Sequence, residues 1–409
     1  MNNSEANSFH RPVIVVGAGP VGMTAALALR RHGIPATILE AEPEGRMRPG
    51  SRAIYIHKAT LKLLEEISPG LGFKLAQRGL VWPLKRTLFR GKEVYRRVYA
   101  TPDPKELPPF TSLPQTEIEA FMLQACKDAG VEFVWNTPVS DVKTDDRRVT
   151  IATETGQVWT AEYVVGADGS RSVVRKSLGI KMEGARSPNA FVVVDVKEDP
   201  DNPLPLERIF HYQHPAMGGR NVLYVPFTGG WRIDLQLFEG DDPDDFSSTE
   251  GVKAWLRKVF DPKYAERITW VSTYQFLQVV AEEFTDPNYR VLLAGESCHL
   301  FAPFGARGLN SGVPDAVAAV KAINTALNAR EAAAGQQAVM IAADKRKKAA
   351  MHNRANAGVA LNHLQGNSFE MRVKRYWAAA LAPMMPKLGR WLDEGPYGPK
   401  AGPSASSKY

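Results

Sequence analysis

The 409-residue chain predicts an α/β fold that is interrupted by an antiparallel β-sheet and followed by C-terminal helices. Three observations support this prediction. Buried-strand patterns that run into glycine turns occur at residues 13–19, 163–170 and 290–295. Short alternating segments separated by polar, proline-rich breaks fill residues 181–285, as expected for an antiparallel sheet. Most of the chain after Gly312 has a helical composition.

The first element is a strand–helix–strand unit. Residues 13–16 are apolar and β-branched, which is typical of a buried parallel strand. The alanine- and leucine-rich residues 23–31 suit a closely packed helix, and Gly33 ends it. Residues 36–39 form a second short strand that leads directly into Glu40. Together they make one βαβ unit of about 30 residues.

The turn inside this unit carries the spacing Gly17-x-Gly19-x-x-Gly22. Glycines there allow the backbone to approach a pyrophosphate, and the following helix offers free N–H groups and partial positive charge. Glu40 can accept hydrogen bonds from ribose hydroxyls and would repel a 2′-phosphate. The unit therefore predicts a bound adenine dinucleotide, and a glycine turn without a nucleotide is the alternative.

The middle of the first domain predicts one helix and three strands. A helix is expected from Thr116, because Thr116-x-x-Glu119 has the spacing of a capping box. Residues 131–135 read as a strand. Residues 149–153 and 158–165 are predicted to form a β-hairpin.

Three fingerprints, taken in order, resemble the FAD-dependent monooxygenase family of the aromatic-hydroxylase type, the class A flavoprotein hydroxylases. They are residues 17–22 with Glu40, residues 166–172, and residues 292–299 followed by residues 303–312. Residues 166–172 resemble the family's Asp-Gly motif. The third fingerprint resembles the family's Gly-Asp motif and the loop beside the flavin ring. The resemblance covers most of residues 11–325.

The resemblance implies FAD as the cofactor and NADPH or NADH as co-substrate. It also implies hydroxylation of a small aromatic, phenol-like molecule with O2, through a flavin C4a-hydroperoxide. The residues that it assigns to the cofactor are Gly17, Gly19, Pro20, Val21, Gly22, Glu40, Arg52, Gln115, Asp168, Gly169, Gly295, Glu296, Gly308, Leu309 and Asn310. For Arg52 and Gln115, an ordinary surface arginine and a turn residue are the alternatives.

The third fingerprint also has a physical argument of its own. Gly308, Leu309 and Asn310 precede a predicted helix, so their N–H groups can meet the negative charge of reduced flavin. Two departures from the family pattern stand nearby. Glu296 takes the place of the usual Asp, and residues 344–348 stand where the family has Tyr-x-x-Glu-Arg-Arg-Pro.

The substrate is expected between the flavin and the antiparallel sheet. A histidine or tyrosine there could remove a phenol proton. The catalytic candidates are His211, His214, Tyr224 and Pro303, and the other substrate-facing candidates are Tyr212, Gln236 and Tyr274. The His211-x-x-His214 spacing lacks a nearby third ligand, so no metal is predicted. Phe304 is expected to help wall the flavin, and Cys298-His299 to be a packing pair rather than a nucleophile and its base.

The predicted organisation is a Rossmann-like FAD-binding domain interleaved with an antiparallel β-sheet substrate domain, plus C-terminal helices. The boundaries are 11–180 for the first FAD-binding part with a small substrate-side insertion near 80–112, 181–285 for the substrate domain, 286–330 for the return of the FAD-binding domain, 331–394 for the C-terminal helices and 395–409 for a disordered tail.

Composition limits the remaining possibilities. Two cysteines cannot build a disulfide framework, and the net charge of +7 is concentrated after residue 320, so a nucleic-acid partner is not expected. The start of the chain has no signal-peptide pattern, so a cytoplasmic protein is expected. A monomer or a homodimer is expected as well. For residues 372–392, packing on the body is expected, with a membrane-surface helix as the alternative. The functional alternatives are a related epoxidase or reductase acting on a non-aromatic substrate, and a non-catalytic flavin-binding redox sensor.

Overall fold

The computed structural model describes residues 8–46, 49–366 and 368–398, with side chains for all of these except residues 8 and 187–189. The strands are β1 Ser8–Val16, β2 Thr37–Leu39, β3 Tyr55–His57, β4 Leu84–Phe89, β5 Lys92–Val98, β6 Phe110–Ser112, β7 Glu132–Val134, β8 Val139–Thr144, β9 Val149–Thr153, β10 Val158–Gly166, β11 Met182–Lys197, β12 Glu207–Tyr212, β13 Val222–Phe227, β14 Gly230–Gln236, β15 Ile268–Ala281, β16 Val291–Leu293 and β17 His299–Leu300.

The helices are α1 Pro20–Arg31, α2 Lys58–Ile67, α3 Leu71–Arg78, α4 Gln115–Asp128, α5 Val173–Ser177, α6 Pro243–Ser247, α7 Thr249–Val259, α8 Arg307–Leu327, α9 Ala332–Gln365, α10 Phe369–Leu381 and α11 Pro386–Glu394. Short 3-10 helices lie at Pro215–Met217, Pro262–Glu266, Gly295–Ser297 and Gly395–Tyr397. The predicted fold class, a mixed α/β fold with an antiparallel sheet and C-terminal helices, is confirmed.

The first sheet has the strand order β7-β2-β1-β10-β9-β8, and β16 pairs with β10. The strands β2, β1, β10 and β16 are parallel, so their carboxyl ends meet at one edge of the sheet. β1 is longer than the predicted residues 13–16, because residues 8–11 also pair with β10. The predicted hairpin forms as β9 and β10. The apolar strands and α1 share one large core with α8.

The second sheet has the order β17-β15-β11-β14-β13-β12-β4-β5. It is antiparallel apart from the β12–β4 pair. We call the side that carries Asp195, Arg232 and Asp234 the front face, because register places Asp195 beside Arg232. The alternate residues form the back face, where Trp231 packs with Trp255 of α7. Front-face residues such as Phe191 and Tyr212 share one hydrophobic cluster with the loop after β17 and with α9, α10 and α11.

The segment near residues 80–112 supplies β4 and β5 to the second sheet and β6 to a small two-stranded sheet with β3. β4 runs parallel to β12, with Lys85 opposite Arg208. This places side chains from an early part of the chain on the front face of a sheet that is otherwise built mainly from residues 182–281.

The C-terminal residues fold back onto the front face. Asp393 accepts hydrogen bonds from Lys85 Nζ and Thr87 Oγ1, each at 2.8 Å. The ring of Tyr397 lies 4.1 Å from Lys85 Nζ. The predicted disorder is therefore wrong for Gly395–Tyr397, because these residues form a 3-10 helix against the sheet. Residues 399–409 of the predicted tail lie outside the described residues.

Helix α10 packs through its small residues and leaves large ones exposed. Ala378 and Ala379 are buried, whereas Phe369 is 75% exposed and Trp377 is 57% exposed. No helix among the described residues is long and apolar enough to cross a membrane.

We predict that Asp393→Ala lowers the free energy of unfolding by about 3–5 kcal/mol, because it leaves Lys85 buried without its counter-ion. The side chains of this pair are only 8% and 2% exposed. Burial lowers the pKa of Lys85 to about 7, so the full loss is expected at about pH 6, where Lys85 is charged. The loss should shrink at about pH 9, where Lys85 is neutral in the folded protein.

Urea unfolding at the two pH values measures this effect. Glu370→Gln, which breaks the exposed pair with Lys374, is the control and should leave stability unchanged. An Asp393→Ala variant as stable as the wild-type protein at both pH values would show that the ion pair does not hold the C-terminal segment.

Candidate functional site

The three fingerprints meet at the carboxyl edge of the first sheet. Backbone hydrogen bonds join them from strand to strand: Gly17 N–H donates to Leu39 O at 2.8 Å, Ala167 N–H to Val16 O at 2.9 Å, and Ala294 N–H to Gly166 O at 2.9 Å. The turns after β1, β10 and β16 are therefore held side by side at one edge, which in parallel α/β sheets is where ligands bind.

The first turn is too tight for side chains at two of its glycines. Gly17 has φ +102°, and a Cβ there would lie 2.5 Å from Ala167 O. A Cβ at Gly22 would collide with the carbonyl oxygen of Gly17. Gly19 is different, because no atom of the described residues lies within 4 Å of its Cβ position. This open space stands at the N-terminus of α1, where Gly19 supplies no side-chain cap to the free N–H groups.

Pro20 and Val21 begin α1 in different roles. Pro20 is buried at the first helical position, where its missing N–H costs no hydrogen bond. The side chain of Val21 packs on the third fingerprint: a Cβ at Gly295 would lie 2.8 Å from Val21 Cγ2, and one at Gly312 2.5 Å away. Val21 thus holds the first and third fingerprints together.

Glu40 is buried behind the first turn. Its Oε2 accepts a hydrogen bond from Ala18 N–H at 2.5 Å, and its Oε1 accepts one from Glu42 N–H at 3.0 Å. The carboxylate therefore braces the glycine turn from the end of β2. Each oxygen keeps an acceptor position beyond these bonds, as the predicted ribose contact requires.

Asp168 in the second fingerprint has one oxygen in use and one free. Its Oδ2 accepts hydrogen bonds from Val173 N–H at 2.7 Å and Val174 N–H at 3.0 Å. Its Oδ1 is buried without a partner in the described part of the chain, and burial raises the pKa of the carboxyl group. Gly169 follows with φ +78°. A buried acceptor without a donor is costly, and a ligand hydroxyl or N–H would satisfy it.

The third fingerprint turns in a 3-10 helix at Gly295, which has φ +67°. Ser297 Oγ donates to Gly166 O at 2.7 Å and so ties this turn to the second fingerprint. The side chain of Glu296 is exposed next to these buried neighbours. Its carboxylate is thus open to a ligand at the place where the family resemblance expects an acid.

A buried ionic network lies beneath the same turn. Asp315 of α8 contacts His299 Nε2 at 2.6 Å and Arg346 Nε at 2.6 Å, and it accepts a hydrogen bond from Gly295 N–H at 3.2 Å. Burial alone would raise the pKa of Asp315, but Arg346 and His299 outweigh it and lower that pKa to about 2. Cys298 is buried beside it, and burial raises the pKa of its thiol, as expected of a packing residue.

The loop before α8 faces the front of the second sheet. Pro303 is exposed, whereas Phe304 is buried with its ring 5.2 Å from that of Phe191. α8 begins at Arg307, and the Cβ position of Gly308 has no described atom within 4 Å. The partly buried Leu309 packs on the core of the first domain. The helix N-terminus and its neighbouring space thus offer room for a flat ring.

Asn310 fixes this loop to the segment around β3. Its Oδ1 accepts hydrogen bonds from His57 N–H at 3.0 Å and Thr60 Oγ1 at 2.7 Å. Its Nδ2 donates to Tyr55 O and Ala306 O, both at 2.8 Å. The side chain of Asn310 is thus committed to these four bonds, and its N–H lies in the first intrahelical bond, because α8 begins at Arg307 rather than after residue 310 as predicted. The N–H groups left free for a cofactor are those before it, including Gly308 and Leu309.

Gln115 and Arg52 belong to one local arrangement. Gln115 N–H donates to Ser51 O, and Gln115 Oε1 accepts from Ala53 N–H at 3.3 Å. Between them Arg52 is held at φ +48°, a strained conformation for a non-glycine residue, and its Nε is buried with no hydrogen-bond partner among the residues that the structure describes. Helix α4 begins at Gln115 with Pro114 as N-cap, so the predicted Thr116 capping box does not form.

Taken together, these residues fit FAD. Three kinds of unoccupied feature lie on the turns at this edge of the sheet or on the segments bonded to them. Among the described residues they are the open positions at Gly19 and Gly308, the buried unpaired atoms Asp168 Oδ1 and Arg52 Nε, and the exposed carboxylate of Glu296. Helix N-termini suit a pyrophosphate and an electron-rich ring, and carboxylates suit hydroxyl-bearing chains.

Of the predicted catalytic residues, Pro303 lies in the loop before α8, but the structure does not bring the other three to this place. Register puts His211 opposite Val222 and Tyr224 opposite Ile233, which are back-face residues. Tyr224 Oη donates to Val259 O at 2.9 Å. His211 Nε2 accepts from Gly91 N–H at 2.9 Å, and burial lowers the pKa of this imidazole to about 4.

The other candidates have separate positions. His214 Nδ1 accepts from Ala216 N–H at the start of a 3-10 helix, and burial lowers its pKa. Tyr212 and Gln236 lie on the front face, where Tyr212 Oη donates to Leu392 O at 2.8 Å and Gln236 Oε1 accepts from Asn221 N–H at 3.4 Å. Tyr274 is 40% exposed.

The front face instead carries a polar cluster that the sequence did not predict. Arg208 is 3% exposed, and its guanidinium lies 5.0 Å from the ring of Tyr397. Within the described ranges, Asp234 Oδ1 and Arg208 Nη1 are buried without partners. Tyr55 lies close enough to Tyr397 and Arg208 for both to affect its pKa, which burial raises. The alternation Arg-Ile-Asp-Leu-Gln in β14 indicates a strand with one polar side. Such a side usually faces water, but here it faces the interior of the protein.

This cluster adjoins the loop before α8. Arg307 Nη2 donates to Tyr397 O at 2.7 Å, and a Cβ at Gly305 would lie 3.1 Å from the same oxygen. His57 Nε2 lies 3.3 Å from Gly305 O. The loop therefore contacts the cluster at Tyr397 and leads directly into α8, whose Gly312 packs on Val21 at the dinucleotide edge.

Comparisons with known proteins agree with this arrangement. Residues 10–355 match the family described as FAD binding domain. The chain is 28% identical over 319 residues to 6-methylpretetramide 4-monooxygenase of Streptomyces rimosus, covering 74% of this chain and 54% of that enzyme. It is 28% identical over 314 residues to para-nitrophenol 4-monooxygenase of Pseudomonas sp. strain WBC-3, covering 74% and 75%. The chain thus spans about half the length of the Streptomyces relative.

A solved structure gives the same fold. The p-nitrophenol 4-monooxygenase PnpA of Pseudomonas putida DLL-E4 superposes with a TM-score of 0.78 over 97% of this chain and 100% of that chain. Its sequence identity is 22%, so this similarity concerns the fold alone.

We predict that Gly19→Val lowers the affinity for FAD at least about tenfold without loss of stability, because its side chain enters the space left for the pyrophosphate and meets no atom of the described residues. Gly17→Val should yield colourless protein, since its side chain also meets the Ala167 carbonyl. FAD content by absorbance and thermal unfolding separate the two effects. Gly358→Ala in α9 is the control, and stoichiometric FAD in Gly17→Val would contradict the assignment.

Proposed function

We propose that this chain, which belongs to the FAD-binding domain family, is an FAD-dependent monooxygenase of the aromatic-hydroxylase type. It would use NADPH or NADH and O2 to hydroxylate a small aromatic, phenol-like substrate. The observation that carries the proposal is the segment of residues 303–312: its loop contacts the front face through Phe304 and Arg307, and Gly312 of α8 packs on Val21 at the dinucleotide edge.

Bound FAD would supply the electron transfer and oxygen activation that amino-acid side chains cannot. The chain's own part would be to bind the cofactor, orient the substrate and exclude water. The N-termini of α1 and α8 would receive the pyrophosphate and the electron-rich edge of the ring, and Asp168, Gly169, Gly295 and Glu296 would hold hydroxyl-bearing parts between them.

Aromatic side chains would keep water from the reacting centre. Phe304 packs on Phe191 and Phe276, with ring centroids 5.2 and 5.3 Å apart. Near β3, the ring of Tyr55 stacks on that of Phe110, with the ring centroids 4.7 Å apart. An apolar enclosure of this kind protects a reactive oxygen species from loss to solvent. The names of the two relatives given above, both monooxygenases and one acting on para-nitrophenol, support the same reaction class.

We expect that a phenolic substrate raises the rate of NAD(P)H oxidation by the yellow holoprotein about tenfold or more, because a bound substrate must precede useful oxygen transfer. The measurement combines NAD(P)H absorbance, oxygen consumption and product mass with ¹⁸O2. A product that gains one labelled oxygen supports the proposal. NAD(P)H oxidation that is unchanged across a broad phenolic panel, or a reduced product without new oxygen, would contradict it. The Gly19→Val protein serves as the cofactor-poor control.

We expect Phe304→Ala to release more hydrogen peroxide per NAD(P)H consumed, because the change opens the packed wall to water. Phe304 is 7% exposed in the intact wall. The ratio of product to NAD(P)H should fall about twofold or more while FAD content is unchanged. Phe369→Ala, at an exposed site on α10, is the matched control. An unchanged product ratio in Phe304→Ala would show that this ring does not protect the reaction.

A further inference from the structure

We propose that Arg208 and Asp234 recognise the substrate together, Arg208 by binding an anionic group and Asp234 by taking the proton of a ring hydroxyl. The substrate class that fits is a hydroxylated aromatic carboxylate or a similar aromatic anion. This inference rests on the proposed function and deepens it, since it concerns the front face on which the substrate is expected.

The first step of the argument is that both side chains lie on the front face. Phe210 of β12 is opposite Leu223 of β13, which is opposite Asp234 of β14. Arg208 is two residues from Phe210 and therefore on the same face. The two groups come from strands separated by one strand, and Arg208 is close enough to influence the pKa of Asp234.

The second step is that both groups are unsatisfied. Arg208 Nη1 and Asp234 Oδ1 have neither solvent contact nor a hydrogen-bond partner among the described residues. Leaving a buried charged group without a partner is costly, and a ligand that supplies the missing partner would explain both atoms. Asp234 is half-buried as a residue, but its Oδ1 atom is fully buried, so this oxygen points into the protein.

The neighbouring aspartate shows the contrast. Asp195 accepts hydrogen bonds from Ser51 N–H and Ser51 Oγ, each at 2.7 Å, and contacts Arg232 Nε at 3.5 Å. Arg232 also donates to Ser51 Oγ. Asp195, Ser51 and Arg232 thus form a closed network that joins the second sheet to the segment before β3. Asp234 stands next to this network, and its Oδ1 accepts no hydrogen bond from any described residue, so this oxygen remains for a ligand.

The charge around Arg208 favours an anion. Lys85 is opposite Arg208 on β4, and Arg97 is opposite Lys85 on β5, so three cations stand in one row of the front face. Asp393 pairs with Lys85, which leaves the row with net positive charge. The guanidinium of Arg208 lies 5.0 Å from the Tyr397 ring, a cation–π contact that helps to hold it in place. An arginine held in this way binds a carboxylate with good geometry.

The third step is the proton. Burial, together with Asp195, raises the pKa of Asp234 to about 7, and Arg232 and Arg208 oppose that rise. Near neutral pH the carboxylate can therefore accept a proton: the substrate O–H bond breaks, an O–H bond forms on Asp234, and the electron pair stays on the substrate oxygen. A ring oxygen that carries this charge makes the ring more nucleophilic, as electrophilic hydroxylation requires.

The test is ligand binding to the holoprotein, read by calorimetry and by the change in flavin absorbance. The probes are meta- and para-hydroxybenzoate, their methoxy analogues, benzoate, phenol and para-hydroxyphenylacetate. We expect the better-fitting hydroxy acid to bind about tenfold more tightly than both its methoxy analogue and phenol. Its affinity should rise with pH through about 7 as Asp234 ionises, while that of benzoate should not.

Two variants assign the two roles. Asp234→Asn should lose the preference for hydroxy over methoxy and the pH dependence, and keep the preference for a carboxylate. Arg208→Gln should lose the preference for a carboxylate and keep that for the hydroxyl. Asp244→Asn on exposed α6 and Arg86→Gln, which is on the back face of β4, are the charge-matched controls. Both should bind as the wild-type protein does.

Equal binding of hydroxy and methoxy ligands by the wild-type protein, unchanged preferences in both variants, or no binding by any probe would overturn the inference. The two proposals fail separately. Binding preferences that follow the expected pattern without stimulated NAD(P)H oxidation would contradict only the monooxygenase function. Stimulated oxidation by a phenol without any effect of Asp234→Asn or Arg208→Gln would contradict only the recognition proposed here.

Discussion

The close approach of backbone turns at one edge of the parallel sheet is the constraint on which the rest of the molecule depends. Gly17 and Gly22 allow the first turn to contact the second, and Val21 packs into the space left by Gly295 and Gly312. A side chain at any of these glycines would push the turns apart. Because the turns hold one another, the N-termini of α1 and α8 and the free oxygen of Asp168 lie at one edge of the sheet, where we propose that the dinucleotide binds.

The second sheet meets this region with a polar face, which is unusual for a buried surface. Its charges are held in two ways. The Asp195–Ser51–Arg232 network and the Lys85–Asp393 pair are satisfied and connect the sheet to distant parts of the chain, whereas Arg208 and Asp234 keep atoms that no described residue pairs. The satisfied pairs fix the position of the front face against the rest of the chain, and the unsatisfied atoms remain available to bind a ligand.

The sequence was most informative where function depends on local backbone. The glycine spacing around Gly17 and the turn at Asp168 are local patterns, and the family resemblance drawn from them is confirmed by the match over residues 10–355. The substrate side was less predictable, because the face on which a strand residue lies depends on register with distant strands. Residue type predicts His211 and Tyr224, which lie on the back face, but it does not predict Asp234, which lies two residues from Gln236 on the front face.

The return of the C-terminal segment to the front face also has a consequence for how the protein is made. Lys85 and its partner Asp393 are 308 residues apart in the sequence. All strands of the second sheet are synthesised before Tyr397. The charged front face is therefore exposed to water until the C-terminal segment with Asp393 and Tyr397 has been made and has packed on it. Both proposed ligand-binding atoms belong to that early sheet, and Tyr397, against which Arg208 stacks, arrives last. A nascent chain would thus contain Arg208 and Asp234 before the C-terminal segment that encloses the proposed binding site has been synthesised.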